Sequence, residues 1–168
     1  MTEIEVLADT VPDIEALARV NFEEDKSAAN GSSIAFLAEY EDTRILFCAD
    51  AHPRVLRDSI DRLRGDKRLP LTACKLPHHG SKYNVSPSFL KTLDCKKYIF
   101  STNGSHFGHP DQEAVARVIK LGGENPELIF NYRSDFTKIW DNKKLKKDFG
   151  YSVTYPPDGQ DGITVEFS

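Results

Sequence analysis

The chain has 168 residues, of which 39% are hydrophobic and 29% charged, with a net charge of −4 at pH 7. This length predicts one domain with its own hydrophobic core, and the mild negative charge argues against broad electrostatic binding to nucleic acid but not against a local basic groove. The three cysteines lie in apolar surroundings, so we expect reduced core residues in a cytoplasmic protein. The absence of a signal peptide and of an apolar run of about 18 residues predicts no membrane association.

Strands and helices alternate from Gly31 onward, which predicts a layered α/β fold. Residues 1–29 are a lead-in in which only a short helix at 12–20 is suggested. Strands at 32–40 and 44–48 form a hairpin, and a helix follows at 53–64 between Pro53 and Gly65. The later predicted elements are strand 71–76, a short helix capped by Ser86, strand 97–101, helix 110–121, strand 127–131, a Lys-rich helical segment 135–149, and strands 152–155 and 162–167.

All five histidines lie between residues 52 and 109, in segments rich in Gly, Pro or Ser that follow predicted strands. Asp50 follows the second strand, His78 and His79 the third, and His106 and His109 the fourth. In layered α/β proteins, ligands bind beyond the carboxyl ends of strands, where neighbouring loops converge. Imidazole and carboxylate groups are ligands for zinc, manganese or iron. The sequence therefore predicts a metal site at one edge of the sheet.

Structural roles compete with this interpretation. An aspartate after a strand is commonly a turn residue or a helix cap. His52 and His109 each precede a proline that opens a predicted helix, which favours a capping role for His52 and leaves both roles open for His109. An adjacent His-His pair followed by Gly-Ser is harder to explain structurally. No phosphate-binding glycine pattern is present, and a nucleophilic role for Ser81 stays open.

Four segments resemble the C-terminal half of the metallo-β-lactamase superfamily, nearest to the hydrolase domain of DNA-uptake competence proteins. They are Asn30-Gly31-Ser32-Ser33 leading into IAFLAEY, ILFCADA at 45–51, KLPHHGSKYNVSPSFL at 75–90, and IFSTNGSHFGHPD at 99–111. The resemblance covers about residues 25–120. It implies half of an αββα sandwich, a mixed sheet with flanking helices in a single domain over residues 1–168. It also implies a metal-dependent hydrolase that cleaves phosphodiesters of nucleic acids or nucleotides with metal-bound hydroxide.

The resemblance assigns expected roles to individual residues. Asp50 resembles the carboxylate that bridges two metal ions, and His78 or His79 resembles the last metal-ligand histidine. His109 lies in a Gly-His-Pro segment that implies a proton donor or a phosphate contact. The implied cofactor is zinc or manganese, as one or two ions. The residues expected to contact substrate are Asn30, Ser81, Lys82 and His106.

The principal metal-binding signature of that superfamily, His-x-His-x-Asp-His, is absent from this chain. Three interpretations follow: one half of a split hydrolase that a partner polypeptide completes, a fragment, or a degenerate domain that keeps the fold without the chemistry. A pure interaction module with incidental histidines is a further alternative. Because a catalytic zinc needs about three protein ligands and a dinuclear site about six, we expect weak metal binding and little hydrolysis by the chain alone.

Overall fold

The computed structural model describes residues 11–160 and 162–167, which form an α/β fold with a mixed six-stranded sheet flanked by helices, as predicted. The strands are β1 (Phe36–Tyr40), β2 (Thr43–Phe47), β3 (Leu69–Leu71), β4 (Ala73–Lys75), β5 (Leu93–Cys95), β6 (Lys97–Phe100), β7 (Glu127–Phe130) and β8 (Ser152–Thr154). The helices are α1 (Ile14–Arg19), α2 (Ala28–Gly31), α3 (Pro53–Arg64), α4 (Pro87–Leu90), α5 (Gln112–Leu121), α6 (Asp135–Lys138) and α7 (Lys143–Phe149), and a 3₁₀ turn spans Pro77–Gly80.

The strand order of the large sheet is β1-β2-β4-β6-β7-β8. Only the β1–β2 pair is antiparallel, in agreement with the predicted hairpin, and every other neighbouring pair is parallel. Parallel neighbours require crossover connections, and these are almost always right-handed. Because the chain advances across the sheet in one direction from β2 to β8, all the crossover helices lie on the same face.

The burial of alternate residues agrees with this one-sided cover. Tyr98 and Phe100 of β6 are buried in the hydrophobic core, whereas Lys97 and Ile99 are only half-buried. The helices contribute to the same core the side chains of Leu56, Ile60, Phe89, Val115, Val118 and Leu145, and Trp140 joins them from the turn after α6. The sheet therefore has one face packed against helices and an opposite face that no described helix covers.

That opposite face, here called the open face, is most apolar at the β1–β2 end. The rings of Phe36 and Phe47 stack with centroids 4.9 Å apart. Phe36 is 54% exposed, and Tyr40, four residues further along β1 on the same face, is 75% exposed. Exposed aromatic side chains on a strand next to a sheet edge are unusual unless another surface covers them.

The predicted strand at 162–167 is wrong. The Gly162 amide donates to the Asn131 carbonyl (3.0 Å), and the Lys97 ammonium lies 5.7 Å from the Phe167 ring centroid. The segment runs across the open face at β6 and β7 without joining a strand ladder. The apolar–polar alternation of this segment does correspond to alternating burial, since Val165 is half-buried and Glu166 is exposed. The alternation arises because the segment packs on the open face of the sheet, and not because it pairs with a strand at the sheet edge.

Three other predicted elements also differ. The strand at 71–76 is two strands in different sheets, divided at Thr72, whose amide and hydroxyl both bond the backbone of Arg44. The segment 135–149 is two helices, because the Asn142 side chain caps a new helix by accepting from the amides of Lys144 and Leu145. The helix expected from 110 begins at Gln112.

Two helices begin where proline and capping residues in the sequence predicted. Helix α3 spans Pro53–Arg64 as predicted, and the Ser86 hydroxyl caps α4 by accepting from the Phe89 amide. All three cysteines are buried free thiols, and the Sγ atoms of Cys48 and Cys74 are 3.8 Å apart. Within the part of the chain that the structure describes, no helix has the length and hydropathy of a membrane span.

Because helices cover only one face of the sheet, alanine substitutions at neighbouring residues of β6 should lower the free energy of unfolding by different amounts. Phe100→Ala should lower the free energy of unfolding by about 3–5 kcal/mol, because it leaves a cavity in the core. Ile99→Ala should cost only about 1 kcal/mol, because its side chain lies on the open face. Urea denaturation of the two variants measures the difference, and equal losses would contradict one-sided cover.

Candidate functional site

A cavity of about 420 Å³ lies where the loops after β2, β4, β6 and β7 meet. This is the carboxyl edge of the parallel strands, where ligands of α/β proteins bind. The side chains and backbone that line it are Asp50, His78, His79, Ser101, Thr102, Asn103, His106, Phe107, His109, Asn131 and Tyr132. The structure therefore brings together the aspartate and four of the five histidines that the sequence grouped; their chemical roles stay predictions.

The His79 ring has one defined tautomer. Its Nδ1 atom lies 2.6 Å from the carbonyl oxygen of Ser101. Because a carbonyl oxygen only accepts, Nδ1 carries the hydrogen and donates it. The lone pair is therefore on Nε2, the arrangement that a histidine ligand of a metal ion or a proton acceptor needs.

The His78 ring lies against a buried asparagine. Its Nδ1 atom is 3.1 Å from Oδ1 of Asn84, and the amide nitrogen of Asn84 points to Asp25 and to two backbone carbonyls. Its ring centroid is 6.2 Å from that of His79 and 5.5 Å from that of His109. The His78 ring thus lies next to the rings of both His79 and His109, and all three residues line the cavity.

Asp25 is the anionic centre behind His78. Its carboxylate accepts hydrogen bonds from the Asn30 side chain (2.6 Å), the Ser27 amide (2.8 Å) and the Asn84 side chain (3.2 Å). Burial raises the pKa of the Asp25 carboxyl, but these hydrogen bonds outweigh it and lower the pKa from 3.8 to about 2. Asp25 is therefore a carboxylate at every pH at which the protein is expected to work.

The backbone around the cavity is strained. Ala49, His78 and His79 have φ values of 48°, 43° and 56°, in the left-handed region that non-glycine residues rarely adopt. The His78 amide donates to the Ala49 carbonyl (2.8 Å), so the strained segments hold each other. Such residues cost about 1–3 kcal/mol each and cluster at functional sites.

Gly80 allows the His-His turn to lie close to its neighbours. Its φ is 89°, and a Cβ atom there would be 2.8 Å from the Phe100 ring and 2.9 Å from Cβ of Pro110. A side chain would therefore push the turn away from β6 and from the loop that carries His109. This explains in physical terms why glycine follows the histidine pair.

His109 and Phe107, from the loop after β6, also line the cavity. Nδ1 of His109 is buried without a hydrogen-bond partner in the described residues, and Oδ2 of Asp111 is 3.5 Å away. Phe107 is 70% exposed, and its ring contacts the ring of His106 with centroids 4.3 Å apart. His109 does not cap helix α5, because Asp111 occupies the N-cap position.

The cavity holds donors of the right kind for a divalent cation, but few of them. Asp50 offers a carboxylate, the tautomer of His79 leaves an Nε2 lone pair, and the His78 ring lines the cavity beside it. No three His, Cys, Asp or Glu side chains among residues 11–160 and 162–167 come together as a group that could hold a metal ion. The site thus fits a metal ion in chemistry and falls short in number.

Three of the residues expected to contact substrate lie outside the cavity lining. Asn30 lies behind His78, with its Nδ2 atom 3.3 Å from Nδ1 of that ring. Ser81 is buried, and its hydroxyl accepts from the Tyr83 amide, while the Lys82 ammonium pairs with Glu113 at 3.0 Å. The fourth, His106, lines the cavity.

His52 occupies the N-cap position of α3, as expected, although its side chain makes no capping hydrogen bond. Its Nε2 atom instead lies 3.0 Å from the Ser27 carbonyl, and its ring packs so closely on helix α2 that a Cβ at Gly31 would be 3.1 Å away. His52 joins the α2 segment to the start of α3.

Arg117, a buried residue of α5, is hydrogen-bonded to the loop that follows the histidine pair. Its side chain is 1% exposed, and its guanidinium donates to the carbonyls of Lys82 (2.7 Å), Val85 (3.2 Å) and Val20 (3.2 Å). It also lies 5.4 Å from the ring centroid of Phe22. One side chain of α5 thus joins the loop after β4 to the segment after α1.

Sequence reasoning missed several residues of this region. Asn131 and Tyr132 follow β7, and the rule that located the histidine loops would have found them had it been applied to this strand as well. Asp25 and Asn84 carry no comparable signal, because they act through hydrogen bonds between residues 59 positions apart.

No family model, no curated protein and no solved structure matches the chain.

The lowered pKa of Asp25 predicts a pH effect on stability. A depressed carboxyl pKa stabilises the fold above the unfolded value near 3.8, and that contribution is lost as pH falls through about 2. Asp25→Asn should therefore reduce the free energy of unfolding by about 2 kcal/mol at pH 6, with the difference from wild type narrowing toward pH 2. Urea unfolding between pH 2 and 6 measures this. Asp66→Asn, at an exposed position, is the matched control.

The contacts of His52 predict a structural role without metal binding. His52→Ala should lower the free energy of unfolding by about 1 kcal/mol through the lost bond to Ser27. Zinc or manganese binding, measured by calorimetry, should not change. A folded variant that no longer binds metal would make His52 a ligand and contradict the prediction.

Proposed function

We propose that this chain supplies part of the active site of a metal-dependent hydrolase of the metallo-β-lactamase superfamily that acts on phosphodiesters of nucleic acids or nucleotides. The observation that carries the proposal is the convergence of Asp50, His78, His79 and His109, from three separate loops, on one cavity at the carboxyl edge of a parallel sheet. The strained backbone at two of these histidines supports a functional interpretation over a packing role.

Asp50, together with His78 or His79, would hold the metal ion, zinc or manganese. The Nδ1 hydrogen of His79 is directed to the Ser101 carbonyl, so that ring keeps its Nε2 lone pair. A bound ion of this kind would lower the pKa of a water ligand and neutralise charge that develops on the phosphate oxygens.

His109 would serve the leaving oxygen. Its ring contacts the ring of His78, and the Asp111 carboxylate lies 3.5 Å from Nδ1, on the side of the ring away from a proton on Nε2. A protonated His109 can then donate from Nε2 to the departing alkoxide. His106 and Asn103, on the wall formed by the loop after β6, would contact the substrate.

The proposal includes a partner that completes the site, either an N-terminal half or a separate polypeptide with the His-x-His-x-Asp-His motif. Two observations support it. The described residues contain no group of three ligands, and the sheet has an open face with Phe36 and Phe47 stacked on it. In an αββα sandwich that face would pack against a second sheet.

A non-catalytic half-domain is the second candidate, because the same shortage of ligands fits a domain that has lost the chemistry. Metal content separates the two. A degenerate domain would bind no zinc or manganese in any combination, whereas the hydrolase should bind it tightly once the site is complete.

The proposal predicts weak metal binding and no measurable turnover by the purified chain. Hydrolysis of bis(p-nitrophenyl) phosphate should begin when a polypeptide with the His-x-His-x-Asp-His motif, such as one encoded immediately upstream, is added. Asp50→Ala and His79→Ala should return the rate to background, because each removes a metal donor. Asp66→Ala, at an exposed position outside the cavity, is the control that should keep full activity.

Two outcomes would contradict this. Steady turnover by the pure chain, lost with chelator and with Asp50→Ala, would mean that the cavity is complete without a partner. Unchanged activity of Asp50→Ala in the complemented enzyme would mean that the chemistry lies elsewhere.

A further inference from the structure

We propose that Asp25 and Asn84 are positioning residues that fix the His78 ring in its Nδ1–H tautomer and so keep its Nε2 lone pair available to a ligand in the cavity. The significance of this inference rests on the proposed function, since a fixed lone pair matters where a metal ion or a proton is bound. The tautomer itself is a property of the metal-free chain and is measurable there.

The orientation of the Asn84 amide is fixed by the acceptors around its nitrogen. Asn84 is completely buried, and its Nδ2 atom faces Oδ2 of Asp25 (3.2 Å) and the backbone carbonyls of Asp50 and Ala51 (both 3.4 Å). All three are acceptors. A flipped amide would place its oxygen against three oxygens, so Oδ1 must face the His78 ring.

A competing donor faces the same ring nitrogen. Nδ2 of Asn30 lies 3.3 Å from Nδ1 of His78 and would favour a lone pair there. Burial decides between the two. Asn84 is inaccessible to water, so its Oδ1 would stay unsatisfied without the ring hydrogen, at a cost greater than that of a missed bond at the surface. Asn30 is only partly buried and already donates to Asp25 at 2.6 Å, so its second hydrogen can reach water.

Asp25 holds Asn84 in place. The Asp25 backbone amide donates to the Tyr83 carbonyl (3.0 Å), the residue before Asn84, and its carboxylate is fixed by the Ser27 amide (2.8 Å). The hydrogen bonds therefore run in one direction, from His78 to Asn84 to Asp25, and end on a negative charge. An anion at the end of such a chain strengthens each bond in it.

The neighbouring histidine is an internal reference. His79 reaches the same tautomer through the backbone carbonyl of Ser101, which no side-chain substitution removes. His78 depends on side chains alone. The two adjacent rings should consequently respond differently to substitutions at Asn84 and Asp25.

The test is the protonation of both rings by ¹⁵N–¹H NMR of the metal-free full chain at a pH where the imidazoles are neutral. Wild type should show Nδ1–H for His78 and His79. In Asn84→Ala, His78 should shift to a large fraction of Nε2–H while His79 stays unchanged. Asp25→Ala should give a smaller shift in the same direction, because the Asn84 amide is then free to turn.

A matched control separates positioning from loss of stability. Asn142→Ala removes the N-cap of α7 and should destabilise the fold comparably, yet leave both rings in the Nδ1–H form. His78 as Nε2–H in wild type, or as Nδ1–H in both Asn84→Ala and Asp25→Ala, would overturn the inference. If Asn84→Ala fails to fold, Asp25→Ala decides alone: a mixed tautomer supports the inference, and an unchanged one overturns it.

Zinc titration of the same proteins, after the polypeptide with the His-x-His-x-Asp-His motif has been added to complete the site, distinguishes this inference from the proposed function. Loss of the Asn84 oxygen should weaken zinc binding by about 10–100-fold. If no variant and no wild-type protein binds zinc while the tautomer shifts as expected, the proposed function fails and the positioning role stands. If zinc binds equally to all and the tautomer does not shift, the positioning role fails and the proposed function stands.

Discussion

The constraint on which the rest of the structure depends is the handedness of parallel crossovers. From β2 to β8 each parallel strand is added on the same side of the previous one, so right-handed connections place every crossover helix on one face. The parallel orientation that these crossovers connect also brings the carboxyl ends of β2, β4, β6, β7 and β8 to one edge, where the loops with the histidines meet. Crossover handedness also leaves the second face without helices, which accounts for the exposed Phe36 of β1 stacked on the half-buried Phe47 of β2. The cavity and the open face are thus two results of one topological choice.

The loops at the carboxyl edge of the sheet contain strained backbone conformations. Left-handed conformations at Ala49, His78 and His79 are held by a direct backbone hydrogen bond, by the close approach of Gly80 to β6, and by a buried polar network around Asp25. Each strained residue costs free energy that the surrounding contacts must offset. A chain without a use for these histidines in fixed positions would gain stability by replacing them with glycine or asparagine. This is the physical reason for preferring a functional interpretation of the histidine pair.

The sequence predicted the elements that local chemistry marks and failed where long-range packing decides. Pro53 and Gly65 mark the ends of α3, and the rule that ligands bind at strand ends grouped Asp50 with the histidines. The apolar run 69–75 carries no mark that divides it between two sheets, because both halves are buried. Asp25 lies in a polar segment with no periodicity, and its role exists only through partners far away in the chain. Buried polar networks of this kind cannot be read from spacing, since their specificity resides in the fold.

The guanidinium of Arg117 has a consequence for how the molecule opens. It binds carbonyls at Val20, Lys82 and Val85 and remains charged at all accessible pH values, so any motion that releases one of these segments leaves a charge partly unsolvated. We therefore expect the segment after α1, the loop after the histidine pair and α5 to open together in native-state hydrogen exchange. Loops that carry reactive groups usually open locally, at a lower free energy than the rest of the fold. In this chain the loop after the histidine pair is hydrogen-bonded to the buried guanidinium of Arg117. We consequently expect a ligand to enter the cavity past His106 and Phe107, which are exposed and which Arg117 does not bind.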